Sequence, residues 1–182
     1  MNEILLHKFD TAFQSFPFDK ISIEDYEPTI LHLLDDAQKE IEAIAQQEAA
    51  PSFENTIVKM ETNGRALNRV VEAFFNLHSA NTNDNIEAAA QNLAPALAAF
   101  SNNILLNEAL FKRVKTIYEQ QAQNQLNAEQ QRLLDKTYKS FSRNGALLNP
   151  SDKEKLRAID QKIAVLKLQF SQNVLQETNA YK

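Results

Sequence analysis

The chain has 182 residues (20.7 kDa), 43% of them hydrophobic and 24% charged, which suits one globular domain with a real core and excludes a disordered chain. It has no cysteine, so a disulfide framework, a thiolate zinc site and a cysteine nucleophile are all excluded. A net charge of −5 argues against nucleic acid as a partner, and no run nears the roughly 18 apolar residues of a membrane span.

Two glycines and five prolines are few for this length. β-rich folds spend glycine on turns and bulges, whereas long helices need little of it. The sequence predicts an all-α fold: about six long, mostly antiparallel helices, with residues 1–182 forming one lobe. Met1-Asn2-Glu3-Ile4-Leu5-Leu6-His7-Lys8 is too short and polar for a secretory signal, so the cytoplasm is the expected compartment.

Residues 1–22 are an irregular start around Phe16-Pro17-Phe18-Asp19. Pro28 stands where a helical stripe begins, through Ile30, Leu34, Ala37, Ile41 and Ile44 in steps of three and four. Ser52 is the expected N-cap of the next helix, with Phe53, Ile57, Met60, Gly64, Leu67, Val71 and Phe74 on one face. Asn63-Gly64 is a turn signal. Because the glycine falls in phase with the apolar face, a continuous helix is expected there.

Asn81-Thr82-Asn83-Asp84 breaks the chain and caps a helix carrying Ile86, Ala89, Ala90, Leu93 and Leu97, with a kink or restart expected at Pro95. Asn107 caps a helix bearing Leu110, Phe111, Val114 and Ile117. Asn127, with Gln130 at the capping-box position, opens one bearing Leu133, Leu134, Tyr138 and Phe141. Gly145 is the expected left-handed cap that ends it. A Ser151-x-x-Glu154 box is expected to open the last helix, about 151–178, with its stripe on Leu156, Ile159, Ile163, Leu166, Phe170 and Val174. After Val174 neither glycine nor proline stops the pattern. That reads as a truncation, with a frayed natural terminus as the alternative.

None of His7, His32 and His78 belongs to a His-Glu-x-x-His or Glu-x-x-His motif, so neither a zinc peptidase helix nor a di-iron bundle is present in this segment. Glu24-Asp25, Asp35-Asp36 and Glu40/Glu42 read as solvated-face residues rather than as an acid/base pair. No catalytic, cofactor-binding or metal-binding residue is expected in the chain. Residues 1–131 hold 9 Lys/Arg against 19 Asp/Glu, and residues 132–182 hold 10 against 5. The basic end is either a solvated face or a surface that docks on an acidic neighbour.

Seven segments carry a resemblance. They are Phe16-Pro17-Phe18-Asp19-Lys20-Ile21, Asp25-Tyr26-Glu27-Pro28, Pro51-Ser52-Phe53-Glu54-Asn55-Thr56-Ile57, Phe74-Phe75-Asn76-Leu77, Asn107 through Val114, Phe141 through Ala146, and Phe170-Ser171-Gln172-Asn173-Val174-Leu175. In this order they resemble the opening of the thimet-oligopeptidase-like zinc peptidases, a group that includes oligopeptidase A and bacterial peptidyl-dipeptidase. The resemblance implies one lobe of a two-lobed helical peptidase, which restricts a channel to short peptides. It also implies a catalytic lobe of the same polypeptide as partner, and zinc held outside this segment. The chain would then be inactive alone and would expose an apolar patch where the other lobe belongs. The alternative is a stand-alone helical protein-interaction module.

Overall fold

The computed structural model describes residues 2–120 and 125–181. Among them the fold is all-α, with six helices of twelve residues or more and no strand. These are α1 (Ile23–Gln46), α3 (Arg65–Ala80), α4 (Asp84–Leu105), α5 (Glu108–Glu119), α6 (Ala128–Arg143) and α7 (Pro150–Ala180), while α2 is the single turn Lys59–Thr62. Three single 3₁₀ turns, Glu3–Leu6, Ala12–Gln14 and Phe18–Lys20, precede α1. The chain divides into two compact units: Met1–Asp35, Gly64–Ala99 and Ala158–Lys182 in the first, Asp36–Asn63 and Phe100–Arg157 in the second.

Unit 1 is built around aromatic rings. Tyr26 and Phe74 are almost wholly buried, their ring centroids 5.5 Å apart, and Phe16 stacks on Tyr26 at 6.3 Å. Phe9 meets Phe16 edge-on at 5.0 Å, and the Arg69 guanidinium lies 4.8 Å from the Phe9 centroid. Arg69 also donates to the His7 carbonyl at 2.7 Å, which pins the irregular N-terminal stretch onto α3. Such pairs add about 0.5–1.5 kcal/mol each beyond the area they bury.

Unit 2 has a conventional core of Ile41, Ile44, Phe53, Ile57, Leu110, Val114, Ile117, Leu134 and Phe141. Phe111 stacks on both Phe141 and Tyr138 at 5.8 Å, and Tyr138 stacks on Tyr118 at 4.1 Å. Side-chain caps start its helices as expected. Asn107 accepts from the Leu110 N–H, and Asn127 and Gln130 form a reciprocal box. Gly145, at φ 99°, ends α6, with the Ala146 N–H returning to the Phe141 carbonyl at 3.1 Å.

Four expectations need correction. The helix expected to run from Phe53 to Phe74 is broken. A wide π-helical turn, Phe53–Val58, runs into α2, Asn63 is extended (ψ 143°), and Gly64 is left-handed at φ 63°. Asn63 sets this break, because its amide leaves the helix to donate to the Ala37 carbonyl (3.1 Å) and the Glu40 carboxylate (2.7 Å). Pro28 does not open α1 but lies inside it, five residues after Ile23. Of the kink or restart expected at Pro95, the restart is absent, since α4 runs unbroken from Asp84 to Leu105. The cap of α7 is Asn149 rather than Ser151. The Asn149 side-chain oxygen takes the Asp152 N–H at 2.9 Å, which leaves Pro150 at the first helical position, where its missing N–H costs nothing.

Candidate functional site

The three histidines lie on separate elements. His7 is exposed before α1, and His32 is exposed on α1. On α3, the His78 Nε2 meets Glu87 Oε2 at 3.0 Å, both side chains largely buried, and the other Glu87 oxygen accepts from Gln172. The acidic pairs are dispersed as well. Asp25 accepts from the Asn2 amide (3.1 Å) and the Ser22 N–H (3.0 Å), and these bonds, Asn2 first, hold its carboxyl below the usual aspartate range. Burial, with the Asp25 charge adding to it, pushes the neighbouring Tyr26 phenol up. Glu40 is engaged by Asn63.

A zinc ion does not fit these residues. No group of three or more His, Asp or Glu converges among the described residues, and Glu87 already spends both oxygens on His78 and Gln172. What the side chains build instead are fold-fixing clamps. The strongest is Arg113, 6% exposed, a position that the sequence reading did not single out. Its Nε donates to Thr56 Oγ1 (3.2 Å), Nη1 to the carbonyls of Gln47 (3.1 Å) and Ala49 (3.0 Å), and Nη2 to Asn55 Oδ1 (3.0 Å). Burial pushes this guanidinium below its ordinary pKa. The available signal was its register: Arg113 falls between Leu110 and Ile117 at helical spacing, on a face that is otherwise apolar.

The arms of the clamp border a cleft of about 520 Å³ lined by Glu40, Ala43, Ile44, Gln47, Asn55, Lys59 and Thr62. Its polar side chains are two amides, one carboxylate, one ammonium and the Thr62 hydroxyl, which donates to the Val58 and Lys59 carbonyls rather than to a base. A second surface feature is on α7, where Ile163, Leu166, Lys167, Phe170 and Ser171 line an open, mostly apolar depression of about 440 Å³.

All seven segments quoted above thus have structural work, the last through Gln172, which donates to Glu87. Phe16, Tyr26 and Phe74 stack in unit 1, while Asn55, Arg113 and Phe141 lock unit 2. Residues 30–153 match the family described as Neurolysin/Thimet oligopeptidase, N-terminal domain. The chain belongs to that family. Dipeptidyl carboxypeptidase of Salmonella typhimurium is 36% identical over 176 residues, which is 97% of this chain and 26% of that protein. Dipeptidyl carboxypeptidase of Escherichia coli is 34% identical over 158 residues, 87% of this chain and 23% of that protein. Oligopeptidase A of Escherichia coli is 24% identical over 168 residues, 92% of this chain and 25% of that protein. These relatives are M3 metallopeptidases. The chain spans about a quarter of their length, and among the described residues no helix is long and apolar enough to cross a membrane.

Proposed function

We propose that this chain is the substrate-access lobe of a zinc metallo-oligopeptidase that hydrolyses short peptides, acting in the cytoplasm with a catalytic lobe of the same polypeptide as its partner. The observation that carries the reading is the match of residues 30–153 to the N-terminal domain of the family. The described side chains support a passive role, because Asp25, Glu40, His78 and Glu87 are spent on bonds that hold the fold, and Glu42, Glu119 and Asp135 pair along the surface of their own helices. A rigid helical wall excludes folded proteins from a narrow channel by size alone, and needs no base or metal of its own. In such an enzyme zinc would supply the polarisation of the peptide carbonyl and the activation of water. The groups that hold it belong to the partner lobe.

The test begins with the isolated chain and a quenched fluorescent peptide, with and without added zinc, for which no turnover is expected. A chimera in which this chain replaces the matching region of the Salmonella relative is expected to cleave the short peptide and to spare a folded protein. Zinc-dependent turnover by the isolated chain, or a chimera that digests folded substrates at the same rate, would overturn the assignment. A chain that acts alone as an interaction module would instead retain a protein ligand without restoring cleavage.

A further inference from the structure

Helix α7 is apolar on two faces. In unit 1, Ala164, Val165, Leu168 and Gln172 are half-buried, and Gln172 donates to Glu87. Turned away by about 175°, at 3.6 residues per turn, Ile159, Ile163, Leu166, Phe170 and Val174 are between 42% and 70% exposed. A helix that only had to close unit 1 would be polar on that side.

The spacing of this second face specifies its occupant. Ile159, Ile163, Leu166 and Phe170 follow the 4-3-4 steps of a coiled-coil seam, positions d, a, d and a. Ile163, Leu166, Lys167 and Phe170 then hold positions a, d, e and the next a. These four, with Ser171, line the 440 Å³ depression. Such a set of four is the hole that receives one side chain from a facing helix.

We infer that this face docks a long amphipathic helix of the catalytic lobe, laid nearly parallel or antiparallel to α7. An apolar side chain enters the hole, and acidic residues beside it meet Lys162 and Lys167. The inference rests on the peptidase reading and names the surface through which the two lobes join. Three further observations point to this occupant. The family's N-terminal domain match stops at residue 153, yet similarity to the Salmonella relative covers 97% of the chain, so the α7 face lies beyond that domain but within the shared sequence. The relatives are about four times as long, which supplies the covering polypeptide. The seam is flanked by lysines at g (Lys162) and e (Lys167), within a stretch holding 10 Lys/Arg against 5 Asp/Glu. In a parallel pair of identical α7 helices those two lysines would face each other.

Two measurements test this. First, the 182-residue chain is titrated with two synthetic 21-residue helices bearing Leu at a and d, one with Glu and one with Lys at e and g. The Glu peptide is expected to bind better. Phe170→Asp should weaken it by about tenfold or more, and the pair Lys162→Glu and Lys167→Glu should reverse the preference. Binding of neither peptide, or indifference to Phe170→Asp, overturns the inference.

Second, Phe170→Cys, the only thiol this chain would carry, is labelled with a maleimide in the isolated chain and in the folded Salmonella chimera. Labelling should be fast in the first and about tenfold slower in the second. Fast labelling in a chimera that cleaves peptides overturns the docking surface and leaves the peptidase reading intact. Protection in a folded but inactive chimera keeps the docking surface and sinks the access reading. A protected thiol in an isolated chain with the mass of a dimer assigns the face to a second copy and overturns the inference.

Discussion

The guanidinium of Arg113 donates to the side-chain oxygen of Asn55 at 3.0 Å and so ties α5 to a turn 58 residues earlier in the chain. The same Asn55 caps that turn, exchanging hydrogen bonds with Ser52, and its amide donates to the Ala50 carbonyl. One arginine and one asparagine therefore fix the whole stretch from Gln47 to Thr56 against the core of unit 2.

Truncating Arg113 removes four charge-assisted donors and leaves buried acceptors behind. Arg113→Ala is expected to cost about 2–4 kcal/mol in urea unfolding. Arg113→Lys should recover less than half of this, because an ammonium on a flexible stem cannot fan out to four acceptors. A lysine variant as stable as the wild type would show that charge alone, and not the fork, holds the turn.

Gly64 offers a test of sign. If Phe53 to Phe74 were one helix, Gly64→Ala would stabilise it by about 1 kcal/mol through helix propensity. At φ 63° the methyl instead meets the left-handed penalty, and Gly64→Ala is expected to cost about 1–2 kcal/mol. A rise in the unfolding midpoint of the alanine variant would contradict the break at Asn63.

This break also shows how far the sequence could be read. Caps at Ser52, Asn107 and Asn127 and the left-handed Gly145 were legible because each acts within four residues of itself. The Asn63 break was not, because its cause is a contact with Ala37 and Glu40, 26 and 23 residues away. The Arg113 clamp was hidden for the same reason: its acceptors lie 57 to 66 residues upstream. On α7 the periodicity was visible in the sequence. Which of its two apolar faces is exposed is fixed only by tertiary packing.

Gly145 combines strain with crowding. Beyond φ 99°, a Cβ there would stand 2.6 Å from Leu156 Cδ2 and 3.0 Å from Leu106 Cδ2. Gly145→Ala should therefore cost more than Gly64→Ala, about 2–4 kcal/mol by thermal or urea unfolding. Leu156→Ala in the same background should return part of the loss, since it removes the nearer obstacle. Additive destabilisation by the two changes would argue against that clash.

The start of α7 separates two candidate caps. Asn149→Ala removes the acceptor of the Asp152 N–H and is expected to cost about 1 kcal/mol. Ser151, exposed and already inside the helix, should change to alanine with no more than about 0.5 kcal/mol of effect. The opposite ranking would restore the Ser151 box.

The Asn2–Asp25 bond should be visible as a pH dependence. The carboxyl of Asp25 titrates below its ordinary value of 3.8 in the folded chain because Asn2 and the Ser22 N–H bind its ionised form. The depressed pKa means that the stabilisation is complete above the ordinary value, where both states are ionised. It is lost as pH falls through the folded value, because the unfolded chain takes up the proton first. Asn2→Ala should thus lower the melting temperature most above pH 5 or so, and the gap from wild type should narrow as the pH approaches about 2. Part of the gap should persist, since Asn2 also donates to the Lys20 carbonyl at 3.0 Å and accepts from the Ile4 N–H, and neither bond titrates. Melting curves from pH 2 to 7 decide the matter: a gap that stays constant across the range would mean that Asn2 acts through Lys20 and Ile4 alone, and that the carboxyl gains nothing from it.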